Sequence, residues 1–348
     1  MENKKKLSIA ERFSSRDNNF DILRLVAAVL VIFSHAYPLT LGSNAFEPLF
    51  KLTKGQETFG GLGVSIFFII SGFLITFSFE RCTNVYEYIR NRILRIYPAL
   101  IVLIILTVFA LGPILTTIDA KSYFLNPSTL RYLESFMLVN MQYNLPGVFE
   151  HNPYPNAVNG SLWTLWYEFF FYIIVAILGS TKLLKKYVIV PAFCLVLFIT
   201  LKLDPSAAIF QYFQLFTYFS MGIIVYLFRK DIKLNPYLAI ACLFLLVLFA
   251  SLGYYKPAFI FFGTYLIFYL GFGIPKLFKR FQERGDFSYG VYIYAFPIQQ
   301  LITYLFIDQI TPFYNFVIAA PITIIIAVIS WFTIESKSLK HKKKVTPL

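Results

Sequence analysis

Apolar residues run along this chain in blocks of about twenty, separated by short stretches where charges and turn formers collect. Ten blocks are read, at 22–40, 61–79, 97–117, 161–179, 187–203, 208–228, 236–253, 257–275, 289–307 and 314–333. A helix needs about 20 mostly apolar residues to cross a bilayer, and every block is of that order. Several contain Gly or Pro, which membrane helices tolerate. The pattern predicts an all-α polytopic membrane protein with about ten transmembrane helices. It divides into an N-terminal segment 1–19, one membrane domain over 20–335 and a basic tail 336–348. No internal repeat of the kind found in many secondary transporters is visible. The longest outward connection, 118–160, carries Pro127, Pro146, Pro153 and Pro155, and loops of that length are often functional.

Composition agrees. A 348-residue chain with 58% hydrophobic, 19% aromatic and 14% charged residues is no soluble globule. Charge then orients it. With the N-terminus in the cytoplasm, Lys4, Lys5, Lys6, Arg12 and Arg16 fall inside. So does every later Lys and Arg except Lys51, Lys54, Lys121, Arg131, Lys202 and Lys256. That is the positive-inside distribution, so both termini are expected in the cytoplasm. The net charge of +13 is then explained by inward loops facing anionic headgroups. Membrane lipids are the partners it implies, and nucleic acid is not. The KHKKK run at 340–344 belongs to the same flank. Cys82, Cys194 and Cys242 form neither a disulfide framework nor a metal-ligand spacing, so no metal and no tightly bound cofactor is expected. No small-residue cleavage site follows the first block, which reads as a retained helix.

Four stretches carry candidate chemistry. In FDILRLVAAVLVIFSHAYPLT (20–40), Arg24 and His35 stand about three helical turns apart, within roughly 20° of one face and about 16 Å along the axis. Polar groups at membrane depth are costly and are functional candidates by default. His35 either stabilises the bundle through a neighbouring helix or takes a proton near neutral pH. In RNRILRIYPA (90–99), Arg92 and Arg95 are i,i+3 neighbours at an inward boundary. They read as a positive-inside cluster or as a guanidinium fork suited to phosphate.

In NGSLWTLWYEFFFY (159–172), Glu168 is read as the only carboxylate well inside a helix, and at that depth it must be paired or protonated. Trp163 and Trp166 are interfacial anchors or walls for a sugar ring. In GGLGVSIFFIISGFLITF (60–77), Gly60, Gly61, Gly63, Gly72, Ser65 and Ser71 permit close helix approach or leave room for a narrow tunnel.

Taken in order, the Arg24–His35 helix, GVSIFFIISGFLIT, RILRIYPA, SLWTLWYE and SYGVYIYAFPI (288–298) resemble membrane-bound acyltransferase family 3. Its members O-acetylate sugars of bacterial surface polysaccharides, O-antigen among them, and related molecules. The resemblance covers most of the chain. It implies a multi-pass protein of the bacterial plasma (inner) membrane that moves an acyl group, usually acetyl, from cytoplasmic acyl-CoA to a hydroxyl presented from outside. Acetyl-CoA would be a co-substrate, and a glycan or lipid-linked polysaccharide the acceptor. By position it implies His35 and Arg24 as the essential first-helix pair, Arg92 and Arg95 as the arginines handling the CoA donor, and Glu168 as the fourth-helix carboxylate. Where relatives often carry His in YIYAFPI, this chain has Ala295, which leaves His35 as the base. Transfer is either direct or by way of an acetyl-histidine. The competing expectation is a proton-coupled transporter or lipid-linked sugar flippase, which accounts for intramembrane His and Glu equally well but less well for the inward RNRILR cluster.

Overall fold

The computed structural model describes residues 8–14, 18–307 and 309–341. Lys4, Lys5, Lys6, Arg16, Lys342, Lys343 and Lys344, which entered the charge argument, lie outside the described residues.

Each of the ten apolar blocks coincides with helix. In chain order these are α1 (Phe20–Leu41), α2 (Phe59–Arg81), α3 (Val85–Leu115), α4 (Trp163–Ser180), α5 (Lys186–Lys202), α6 (Phe210–Leu227), α7 (Pro236–Leu252), α8 (255–272), α9 (Ser288–Leu305) and α10 (Pro312–Leu339). Single π-helical turns interrupt α3 at Thr107–Leu111, α8 at Phe259–Gly263 and α10 at Trp331–Glu335. Among the described residues, five helices are long and apolar enough to cross a membrane: α1, α2, α3, α10 and Gly160–Ser180, which includes α4. No strand is formed among the described residues beyond the isolated bridges Ser8–Lys233 and Asn144–Ala157. The chain is all-α and has the build of a polytopic membrane protein.

Two helices run well past their apolar blocks. The third begins at Val85, ahead of the hydropathy signal at 97, because its first turns are charged but well capped. Asn84 Oδ1 accepts the Glu87 amide at 2.8 Å, and Glu87 reaches back to the Thr83 amide at 3.0 Å, a reciprocal cap of helix-starting type. This brings the whole RNRILR run inside α3. The tenth helix runs on to Leu339, which makes Glu335 helical and 2% exposed. Glu168 is therefore not the only carboxylate held within a helix.

The chain forms two compact units. The first comprises Met1–Ala27, Pro48–Tyr88 and Phe170–Arg284. Its centre is the α2–α6 crossing, where a Cβ at Gly72 would stand 1.9 Å from the Phe219 carbonyl oxygen and one at Gly222 2.1 Å from that of Ile69. Only hydrogen fits at either position, so the close-approach reading of Gly72 holds. Around Phe73, the rings of Phe13, Phe20, Phe268 and Phe272 lie with centroids between 5.0 and 5.9 Å away. Asn19 closes this unit, its side chain donating to the Leu270 and Pro275 carbonyls at 3.1 and 3.2 Å and accepting the Leu277 amide at 2.7 Å.

The second unit comprises Ala28–Glu47, Ile89–Phe169 and Gly285–Leu348. Here α9 packs on α10, and buried amides replace phenylalanine as the fastening. Gln299 donates to the Ile32 carbonyl at 2.8 Å and to Asn315 Oδ1 at 2.9 Å. Asn315 donates to the Gln299 carbonyl and to Thr303 Oγ1, both at 3.0 Å. The long connection is tied to α9 in the same way. Asn152 donates to Gln300 Oε1 at 2.7 Å, Gln300 to the Ala157 carbonyl at 2.7 Å, and Asn159 to the Ile293 carbonyl at 2.9 Å. Within the connection Asp119 caps the short helix Ala120–Leu125 by accepting the Ser122 amide at 3.0 Å. Those hydrogen bonds to Ser122 hold the Asp119 carboxyl below its ordinary range.

Candidate functional site

His35, Arg92, Arg95, Trp163, Trp166 and Glu168 all fall in the second unit, whereas Arg24 falls in the first. His35 stands on the second turn from the end of α1, whose flanking Ala36 and Leu39 are fully buried. Its ring meets Phe296 of α9 edge to face, centroids 5.4 Å apart at 76°. Phe296 is held in turn by Leu39 and Ala157, and by Gly160, where any Cβ would come within 2.8 Å of the ring. The imidazole is thus fixed against an aromatic edge. Its Nδ1 is buried and meets no hydrogen-bonding partner among the described residues, while the ring as a whole stays partly accessible. A buried polar atom left without a partner costs about 1–3 kcal/mol, and such an atom in a native fold calls for a functional explanation.

Arg24 donates from Nη2 to Asp21 Oδ1 at 2.5 Å, one turn earlier on α1. That i,i+3 pair gives the arginine a defined position at the start of the helix.

Arg95 is more heavily engaged than its motif implies. Its Nη2 donates to Asp286, just before α9, and its Nη1 lies 3.6 Å from Glu335 of α10. The guanidinium also lies over the rings of Tyr289 and Trp331, at 5.6 and 5.8 Å from their centroids. Asp286 fastens the first residue of α9 by accepting from the Ser288 amide at 3.2 Å and from its hydroxyl at 2.5 Å. Gly285 makes the approach possible: its φ is +144°, and a Cβ there would stand 2.1 Å from Trp331 Nε1. Arg92 sits one turn before Arg95 on α3 and is partly buried. Arg90 donates to the His341 carbonyl at 3.1 Å, binding the end of the described chain to the same helix.

On α4, Glu168 is partly buried and lies within electrostatic reach of the Tyr289 and Tyr292 hydroxyls. Tyr292 donates to the Ser161 carbonyl at 2.9 Å and shares a 2.7 Å hydrogen bond with Thr164. Tyr289 donates to the Ile96 carbonyl at 2.7 Å. Trp163 packs edge to face on Tyr167, centroids 5.6 Å apart, and both Trp163 and Trp166 stay partly exposed. Ala295 is fully buried on α9. Among the described residues no group of three or more His, Cys, Asp or Glu is arranged to hold a metal ion.

Sequence reasoning missed Asp286, Glu335, Gln299 and Asn315. The adjacent amides Gln299 and Gln300 in an apolar helix were the available signal, since uncharged polar groups in such helices also need partners.

The assembly that decides the family is continuous: the α1 histidine, the α3 arginines, the α4 carboxylate and the aromatic run of α9 occur in order on one all-α frame. An acyltransferase domain matches residues 17–332. The chain belongs to acyltransferase family 3. It is an enzyme, an acyltransferase. It is 32% identical to an "O-acetyl transferase" of Shigella phage Sf6, over 93% of this chain and 96% of that one. It is 28% identical to "Nodulation protein 10" of Rhizobium leguminosarum bv. viciae, over 95% of each. No solved structure matches.

Proposed function

We propose that this acyltransferase is an O-acetyltransferase of the bacterial plasma membrane, with ten spans and cytoplasmic termini. It takes acetyl from cytosolic acetyl-CoA and delivers it to a hydroxyl of a surface polysaccharide or lipid-linked glycan. The observation that carries this reading is His35: a fixed, partly accessible imidazole within an apolar helix, with one ring nitrogen buried and unpartnered. A membrane protein that only needed packing there has no reason to retain that cost.

Arg92 binds the donor's phosphates, where guanidinium planarity suits bidentate contact. Arg95, fastened to Asp286 and Glu335, sets the position of α3 against α9 and α10. The donor's thioester reaches the middle of the bilayer from the cytoplasmic side, and the sugar enters past the 118–160 connection and Trp163 and Trp166. His35 takes the proton of the acceptor hydroxyl. The oxygen bonds to the thioester carbonyl carbon, and collapse of that adduct breaks the carbon–sulfur bond. The thiolate leaves, is protonated by the imidazolium and departs as free CoA thiol. Glu168, close to two tyrosine hydroxyls, orients the acceptor. Arg24, paired with Asp21, holds negative charge on the donor side.

The test follows thiol release from acetyl-CoA by purified protein in nanodiscs, with cell-surface glycan as acceptor. Release that depends on acceptor and is lost in folded His35→Ala supports the transfer and its base. A protein that neither binds nor consumes acetyl-CoA overturns the reading.

A further inference from the structure

One residue outside the family motifs, Gln299 of α9, is bonded to α1 one turn before His35. The pairing of α1 with α9 is antiparallel and repeats by single turns: Ile32 meets Gln299, and His35 meets Phe296. In an α-helix the carbonyl of residue 32 points along the axis at the amide of residue 36. The Gln299 head group, docked on that carbonyl at 2.8 Å, therefore lies at the level of His35. Its orientation is determined as well. Both hydrogens of its NH2 are used, on the Ile32 carbonyl and on Asn315 Oδ1, so the amide cannot be flipped without losing two bonds. The side-chain oxygen is what remains. It is buried, and it too has no hydrogen-bonding partner among the described residues. One turn apart on facing helices, then, stand a buried acceptor without a donor and a buried imidazole nitrogen without an acceptor.

We propose that Gln299 is the positioning residue of His35, its side-chain oxygen taking the Nδ1 hydrogen directly or through one water and so leaving Nε2 as the basic nitrogen. The hydrogen bond made by one ring nitrogen sets which nitrogen carries the proton. A general base of this kind needs its lone pair aimed at the substrate, and an orienting acceptor behind it serves that end. An amide provides this without placing a second charge in an apolar layer, where an unpaired carboxylate is costly. This inference rests on the reading of His35 as the base.

The experiment reads the tautomer and the kinetics separately. The full chain, labelled with ¹⁵N-histidine and carrying His151→Gln and His341→Gln, leaves His35 as the single histidine signal in nanodiscs. The neutral ring is expected with hydrogen on Nδ1. Gln299→Met, which removes the acceptor oxygen, shifts that hydrogen toward Nε2. On the unlabelled protein, Gln299→Met lowers kcat for thiol release by about 10- to 100-fold, the order seen when outer partners of metal-bound histidines are removed, with KM for acetyl-CoA unchanged within about twofold. Asn315→Ala, which loosens the same buried network but leaves the Gln299 oxygen, lowers the thermal midpoint and leaves the tautomer alone. The proposal is overturned if the wild-type ring carries its hydrogen on Nε2, if Gln299→Met leaves the tautomer unchanged, or if Asn315→Ala reproduces the whole Gln299→Met result. Full thiol release by His35→Ala sinks the base reading instead, and the nitrogen spectrum still reports whether Gln299 holds the ring.

Discussion

In the first unit α2 and α6 meet at Gly72 and Gly222, and the space around Phe73 is filled by four further phenylalanine rings. In the second, α9 is fastened through Gln299, Gln300 and the Arg95–Asp286–Glu335 cluster. Helix association in a bilayer draws little on the hydrophobic effect, so each unit relies on close contact or on polar pairing. The first uses close contact at its centre, and its ion pairs Arg24–Asp21, Lys186–Asp231 and Arg229–Glu80 are partly exposed. The second uses hydrogen bonds and charge, and that is where His35, Glu168 and the α3 arginines sit. The difference teaches that the polar groups of a membrane enzyme do two kinds of work at once: they hold helices and they equip the site. A few of them, His35 Nδ1 and Gln299 Oε1 among them, are left over from the holding.

Substitutions sharpen this contrast. The largest effect is expected at His35: His35→Ala lowers kcat by about 10²–10⁴-fold with an unchanged thermal midpoint, measured by thiol release and by heating in nanodiscs. A midpoint that falls together with the rate would make His35 a packing residue. Next comes Arg95→Met, which strands two carboxylates and costs about 3–5 kcal/mol of stability. The triple variant Arg95→Met, Asp286→Asn, Glu335→Gln recovers most of that midpoint, and no recovery would mean that pairing is not what Arg95 supplies. In the first unit, Gly222→Val overpacks the α2–α6 crossing by about 1–3 kcal/mol. Because the side chain meets backbone, the loss is expected in stability and in folded yield, not as a selective change in KM. The smallest effect is at Asp119. Its carboxyl is held below the ordinary range by Ser122, so its capping contribution is present above the unfolded-state pKa of about 3.9 and is lost as pH falls through the lower folded-state value. Asp119→Asn weakens that acid dependence in an equilibrium unfolding series and leaves neutral-pH activity unaltered; an unchanged acid profile removes the cap from the account.

Much of the frame is legible from hydropathy, because apolar blocks about one bilayer thick have few alternatives to helix. Where legibility fails, charge is the reason. The first turns of α3 look like a loop to any hydropathy window, yet Asn84 and Glu87 cap them into helix. Glu335 lies beyond the last apolar block at 314–333, yet Arg95 draws it into the fold. Arg95 carries a partner that no local pattern announces. Two arginines one turn apart suit a phosphate, and one of them is also paired with Asp286, 191 positions away. Gln299 is not legible from the sequence, because an amide with one free oxygen is informative only once its other bonds are known.

The α2–α6 contact also limits how the first unit can move. At Gly72 and Gly222 each backbone carbonyl rests where a side chain would otherwise begin. Sliding either helix by one turn brings Phe68 or Thr76, or Tyr218 or Tyr226, to a gap that admits only hydrogen. The crossing therefore acts as a two-sided detent: it blocks sliding in both directions while leaving the lipid-facing surfaces of the same helices free to change.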